Sequence, residues 1–186
     1  MKKVIIVHGW GGDSECNWFP WLKKKLEKKG ITVIVPDFPN TNTPQQNEWL
    51  AVLNSLEIDE ETYLIGHSLG NIAILKYLQK LYNPKHKERK VAGVILVAGF
   101  AHSIGVTQIE SFFIESLNFT IVKKKCKKFI AINSDDDHYV DLSYGKEFRD
   151  KLGAELVVLH NYGHIKHFEL PILLEKLEEM FENTVI

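Results

Sequence analysis

A serine hydroxyl attacks a carbonyl at neutral pH only when a base takes its proton, and that base is usually a histidine oriented by a carboxylate. The chain carries a serine set for such a role in Gly66-His67-Ser68-Leu69-Gly70. The apolar run Tyr63-Leu64-Ile65 leads into it, and a helix-patterned segment, residues 71–78, follows at once. Strand, sharp turn and helix in that order make a nucleophile elbow, in which a strained turn lifts the serine hydroxyl above the sheet edge. Gly66 and Gly70 are expected there because the turning strand and the starting helix pass too close for a Cβ. Ser68 would then lie at a helix N-terminus, where unpaired N–H groups favour developing negative charge. G-x-S-x-G alone arises by chance in about one chain in twenty of this length. A plain Gly-rich turn is therefore the competing reading until partners are found.

Reading onward from Ser68, the first carboxylates beyond a later strand are Asp135-Asp136-Asp137. The first histidine beyond the last strand that also follows a glycine is His164. One of the three aspartates is expected to orient His164, while the others cap the next helix or face water. His67 adjoins the serine but points away from it, so packing or hydrogen bonding is its expected role. His8, His102, His138, His160 and His167 lie near candidate loops, yet none joins the final strand end to a preceding glycine. Three aspartates could suggest a divalent cation. Adjacent carboxylates cannot converge on one ion without an unusual turn, so no metal is expected.

Acyl transfer also needs donors for the tetrahedral oxyanion, and losing one costs about 3–4 kcal/mol of barrier. The backbone N–H of Leu69, directly after the nucleophile, is the first candidate. Trp10, in the Gly-rich loop His8-Gly9-Trp10-Gly11-Gly12, is the second. That loop lacks both G-x-G-x-x-G and a Gly-Lys-Ser/Thr sequence, so the oxyanion role is favoured over phosphate binding and no cofactor is expected. Trp10, Phe38, Phe100, Phe112 and Phe113 are candidate walls of a substrate pocket.

These groups need a scaffold that brings loop ends together. Val4-Ile5-Ile6-Val7 is a short continuous run, as expected of a strand buried on both faces, and residues 31–35, 62–65, 91–97, 129–132 and 155–159 are five more. Helical spacing separates them. It is seen at Trp18, Trp21, Leu22 and Leu26, ending at Gly30, and at Ile72, Leu75, Leu78 and Leu81 after the elbow. Thr43-Pro44 reads as the cap and first turn of a helix through Trp49, Leu50, Val52 and Leu53. Ile109, Phe112, Phe113 and Leu117 form a further helical pattern, residues 142–152 another, and Leu170 to Phe181 a last one with Pro171 in its first turn. The polar tract 83–90 reads as a loop. Six buried strands alternating with helices imply a parallel sheet covered on both faces, within one domain. Ligands in such sheets lie beyond the carboxyl ends of the strands, where every candidate loop falls.

Length and composition agree. The 186 residues are enough to bury about 70% of the unfolded surface. A net charge of −1 gives no reason to expect nucleic acid or an anionic membrane. The Lys-rich runs 23–29 and 123–128 read as solvated faces. Met1-Lys2-Lys3 precedes only four apolar residues, short of the roughly 7–15 of a signal peptide, so a cytoplasmic location is expected. No run approaches the roughly 18 apolar residues of a membrane-spanning helix. Cys16 and Cys126 are isolated and read as free thiols.

On these residues the chain resembles the small α/β-hydrolase family of the retinoblastoma-binding protein 9 and YdeN type. The matching stretches are the first strand with its Gly-rich loop, Trp49-Leu50, Gly66-His67-Ser68-Leu69-Gly70, residues 134–140 and Gly163-His164, from about residue 4 to residue 168. The resemblance implies a minimal α/β-hydrolase fold, three layers around a six-stranded parallel sheet, lacking the first two strands of larger relatives. It implies Ser68 as nucleophile, His164 as base and Asp137 as acid. The family's acid precedes a Pro-aromatic pair; here Asp137 precedes His138-Tyr139, and with the proline replaced Asp136 stands as the alternative. Residues 100–128 match poorly. The expected activity is a serine hydrolase, first a carboxylesterase on small acyl esters, second a thioesterase, amidase or peptidase. The rival from another class is an interaction module with a hydrolase fold; a protein partner is not indicated by any motif.

Overall fold

Six short runs of aliphatic and β-branched residues pair into a parallel sheet in the computed structural model, which describes residues 2–81 and 90–182. The strands are β1 (Lys3–Val7), β2 (Thr32–Ile34), β3 (Thr62–His67), β4 (Gly93–Val97), β5 (Phe129–Ser134) and β6 (Glu155–Leu159), in the order β2-β1-β3-β4-β5-β6. Between and after them come α1 (Phe19–Glu27), α2 (Gln46–Ser55), α3 (Leu69–Lys80), a 3-10 turn (Thr107–Phe112), α4 (Phe119–Lys123), α5 (Leu142–Leu152) and α6 (Pro171–Glu182). Among the described residues, no helix is long and apolar enough to cross a membrane.

Alternate side chains of each strand enter two cores. Ile5, Val7, Leu64, Val94, Leu96 and Ala131 face α2, α3, α4 and α5. Val4, Ile6, Tyr63, Ile65, Ile95 and Ile132 face α1 and α6. Three layers result, as expected for strands with no polar face. Each fully buried Val, Leu or Ile contributes about 1.5–3 kcal/mol, which makes the central strands rigid supports for whatever follows them. In register, Val7 lies opposite Gly66, His67 opposite Val97, and Ser134 opposite Leu159. The residues just beyond these ends therefore share one sheet edge. The chain runs outward from β1 in both directions, so the crevice between β1 and β3 is the switch point where such folds take ligands.

Some element bounds differ from expectation. Thr43-Pro44 does not open α2; Gln45 stands at its cap without a side-chain bond to the helix N–H groups, and the helix starts at Gln46. The cap comes from elsewhere, since Ser111 Oγ accepts from the Gln46 N–H (3.1 Å) and donates to the Pro44 carbonyl (3.1 Å). The segment around Ile109 forms only a 3-10 turn. Strand β4 starts at Gly93 rather than residue 91, with Val91 making a separate bridge to Cys126. The second Lys-rich run is not wholly solvated, because Lys125 is buried. Of the tract read as a loop, residues 83–89 lie outside the described residues.

The close approach expected at the elbow is present. A Cβ on Gly66 would lie 2.5 Å from Asn71 Oδ1, and one on Gly70 2.2 Å from the Val7 carbonyl oxygen. Neither neighbour can yield, because both belong to the sheet edge and the start of α3. Gly70→Ala should cost about 3 kcal/mol or more in urea unfolding, at the upper end of overpacking. Gly105→Ala, at positive φ but with nothing within 4 Å, should cost about 1–2 kcal/mol from backbone strain alone.

Candidate active site

Ser68 ends β3 and begins α3 with φ 53° and ψ −122°, a conformation that L-residues adopt only when the surroundings impose it. The imposition is visible. The Ser68 N–H donates to the Val97 carbonyl (3.0 Å), and the Asn71 amide donates to the carbonyls of both Ser68 (3.0 Å) and Val97 (2.8 Å). Buried Asn71 thus ties the first turn of α3 back to β4 and holds the serine upright.

Three side chains from three loops meet above it. Asp137 Oδ2 lies 2.7 Å from His164 Nδ1, and His164 Nε2 lies 2.9 Å from Ser68 Oγ. A carboxylate only accepts, so Nδ1 carries the proton and bare Nε2 accepts from the serine hydroxyl. The Asp137 side chain is fully covered. Burial pushes its pKa up, but the hydrogen bond and charge of His164, with the N–H groups of Tyr139 (2.8 Å) and Val140 (3.0 Å), outweigh that and hold it below the usual carboxylate range.

The three consecutive aspartates diverge. Asp135 pairs with His160 (2.5 Å). Asp136 neither caps a helix nor faces water freely; it accepts from the Ser134 hydroxyl and from the Gly163 N–H (2.9 Å), which lower its pKa. Asp141 caps α5 instead, accepting from the Ser143 N–H. Asp136 therefore braces the backbone of the His164 loop from below, while Asp137 meets the ring.

A second tether comes from His67, whose Nε2–H donates to the His164 carbonyl (2.9 Å). Its ring is buried beside Trp18, Phe19 and the His164 ring. Burial, with the neighbouring His164, pushes the His67 pKa down to about 3. After His164 the chain turns through Ile165 at φ 53°, an unusual conformation for a β-branched residue, and buries that side chain in the α1/α6 core.

The Gly-rich loop after β1 is anchored independently. Buried His8 donates from Nδ1 to the Gly9 carbonyl (2.8 Å) and accepts at Nε2 from the Phe38 N–H (3.2 Å). Burial lowers its pKa against the pull of that carbonyl, keeping it neutral and able to accept. The Trp10 indole N–H donates to the Asn42 carbonyl (2.9 Å), and the Gly11 N–H to that of Thr41 (2.8 Å). Leu69 is the first residue of α3, so its N–H has no intrahelical acceptor. The Leu69 and Trp10 N–H groups, the expected oxyanion donors, have no hydrogen-bond acceptor among the described residues.

A cavity of about 380 Å³ opens over Ser68 and is lined by His164, Leu69, Trp10 and Phe100 among others. Phe38, Phe112 and Phe113, expected as walls, do not line it. Phe38 packs edge-on to His8 and against Trp49 beneath the loop, Phe112 lies behind Trp49, and Phe113 stacks on the far side of Phe100. The apolar wall is instead Ile104, Val106 and Ile109, from the irregular segment after β4, with Tyr139 and Val140. No periodicity marks Ile104 or Val106, and Ile109 reads in the sequence only as part of a helical pattern. Tyr139 and Val140 follow the acid directly, and their N–H groups on Asp137 are what turn them toward the cavity.

The chain is similar to known proteins along most of its length. A family model described as serine hydrolase matches residues 4–175. YdeN of Bacillus subtilis is 34% identical over 97% of this chain and 96% of its own. Its crystal structure superposes with a TM-score of 0.91, at 32% identity, covering 98% of this chain and all of that one. The serine hydrolase RBBP9 of Rattus norvegicus is 27% identical over 96% of this chain and 95% of its own. Est1E from Butyrivibrio proteoclasticus, at 15% identity and a TM-score of 0.74 over 99% of this chain and 88% of that one, shares the fold.

A pH consequence follows from His67. The unfolded side chain takes a proton below about 6.5, whereas the folded one stays neutral down to about 3. This contribution to stability is complete above about pH 6.5 and is lost as pH falls toward 3, at up to about 1.4 kcal/mol per pH unit. His67→Phe keeps the ring packing and should flatten the fall of Tm between pH 6.5 and 4, while lowering Tm at pH 7 through the lost bond to the His164 carbonyl. Thermal melts at pH 7, 5.5 and 4 check both effects; an equally steep acid limb in the variant would contradict the assignment.

Proposed function

Because the chain belongs to the serine hydrolase family, we propose that it hydrolyses small acyl esters through an acyl-enzyme formed on Ser68. The observation that carries this reading is the continuous line from Asp137 through His164 to the Ser68 hydroxyl, with contacts of 2.7 and 2.9 Å. Ser68 Oγ attacks the ester carbonyl as its proton passes to His164 Nε2. The Leu69 and Trp10 N–H groups receive the oxyanion, aided by the N-terminal dipole of α3. Collapse of the intermediate breaks the ester bond, and the leaving alkoxide takes the proton from Nε2. Water then gives a proton to His164, attacks the acyl carbon and releases the carboxylic acid with Ser68 restored. Asp137, kept ionised, holds the imidazole tautomer and stabilises the imidazolium of each step.

The size and composition of the cavity support the ester reading. About 380 Å³ with one aliphatic wall suits a short acyl chain. A binding module would need neither a strained serine nor an ionised acid buried behind a histidine.

Folded wild type should be labelled by a fluorophosphonate probe, and Ser68→Ala should abolish labelling and lower kcat by about 10⁴-fold or more. Matched esters, thioesters and amides with short acyl chains test the substrate class, esters being turned over fastest. Absence of labelling, with Ser68→Ala hydrolysing as wild type does, would sink the proposal. The two aspartates separate by kinetics. Asp137→Asn should reduce the acylation rate about 10³-fold or more, since the wrong tautomer is then favoured. Asp136→Asn should cost about tenfold or less and act chiefly on stability; the reverse ranking would make Asp136 the acid.

A further inference from the structure

The cavity over Ser68 has an uneven electrostatic lining. Of the described residues lining it, Lys166 is the one lysine or arginine, and none is an aspartate or glutamate. Asp137 is covered behind His164, and its charge is met by that ring and two backbone N–H groups. His8 and His67 are buried and neutral. The lining itself presents an ammonium group and the N-terminal end of α3, both positive, while outside it Asp13 acts on His8 and Cys16, and Asp37 on His8.

Lys166 is exposed and has no carboxylate partner among the described residues. Its Nζ lies 5.4 Å from the centroid of the Tyr139 ring, which sits 5.2 Å from the His164 ring. A cation held over an aromatic face is positioned without being neutralised, in contrast to one held by a carboxylate. Its charge is therefore available to a ligand.

Chemistry decides which part of the ligand meets it. The leaving oxygen must take its proton from His164 Nε2, so the alcohol portion of an ester lies against the His164 loop. Lys166 stands two residues further along that loop, past the turn at Ile165. The acyl portion falls toward the uncharged wall of Phe100, Ile104, Val106 and Ile109. We infer that Lys166 is a specificity-determining residue that selects esters whose alcohol portion carries a carboxylate. The inference rests on the serine hydrolase reading of Ser68 and adds a substrate class to it.

The test compares butyryl esters of hydroxycarboxylic acids, two to four carbons long, with their isosteric carboxamides on the full chain. The readout is the ratio of kcat/KM for acid over amide, so changes in folding or general activity cancel. Wild type should prefer the acid at low salt, and Lys166→Met should lower the ratio about fivefold, the scale of one solvent-accessible charge pair. Lys166→Glu should bring it below one. Raising ionic strength should erode the wild-type preference and leave the Lys166→Met ratio nearly flat. A ratio that Lys166→Met and salt both leave unchanged overturns the inference. Ser68-dependent turnover in that same experiment would leave the hydrolase reading standing, whereas turnover insensitive to Ser68→Ala would remove both.

Discussion

Helix α3 crosses the end of β1 so closely that the Val7 carbonyl occupies the space a side chain at residue 70 would need. Everything at the site depends on that crossing. It brings the turn bearing Ser68 against the loop that leaves β1, so that Ser68 and Trp10 line the same cavity from adjacent strands. In the proposed reaction, the same crossing brings the first N–H groups of α3 to bear on the point where negative charge develops. The strain at Ser68, of order 1–3 kcal/mol, is sustained by its backbone bonds to Val97 and Asn71 rather than by its side chain.

The histidine is positioned by a different logic. Its loop follows β6 at the edge of the sheet, where fewer neighbours confine the backbone. Three tethers replace that confinement: Asp137 on the ring, Asp136 on the Gly163 N–H, and His67 on the His164 carbonyl. Two of them grip backbone, so the imidazole can turn and change its protonation without the loop losing its place. The left-handed turn at Ile165 sends one side chain into the core immediately beyond the ring and leaves the next at the cavity mouth.

Burial sets the charge of each group. Burial pushes both His8 and His67 toward neutrality; His8 accepts from the Phe38 N–H, which only a neutral ring can do, and His67 donates to the His164 carbonyl. Asp137 is buried as well, but two N–H groups and an imidazole outweigh the desolvation and keep it ionised. A negative charge thus stays beneath the histidine while the open side of the site carries a positive one at Lys166.

The six strands, the alternating helices and the elbow were legible in the sequence because they are written in local patterns, although the edge strands β2 and β6 are only partly buried. These are aliphatic runs, 3.6-residue spacing, and glycines placed where strand and helix must pass. Ser68 and His164, which the fold brings to 2.9 Å, were legible for the same reason, each lying within two residues of a glycine just beyond a strand. What lay out of reach was decided by contacts distant in the chain. Ser111 caps α2 across more than sixty residues and overrides the local Thr43-Pro44 signal. The division of labour among Asp135, Asp136 and Asp137 depends on which part of the β6 loop each carboxylate meets. The cavity wall also escaped the pattern, since aromaticity at Phe38, Phe112 and Phe113 says nothing about direction, and the packing of Trp49 and Phe100 turned those rings inward. Sequence by itself determined which elements form and which end of the sheet would hold the chemistry, because periodicity and backbone sterics act over a few residues. Tertiary structure alone decided which side chains face the substrate, because that depends on packing between segments brought together only by folding.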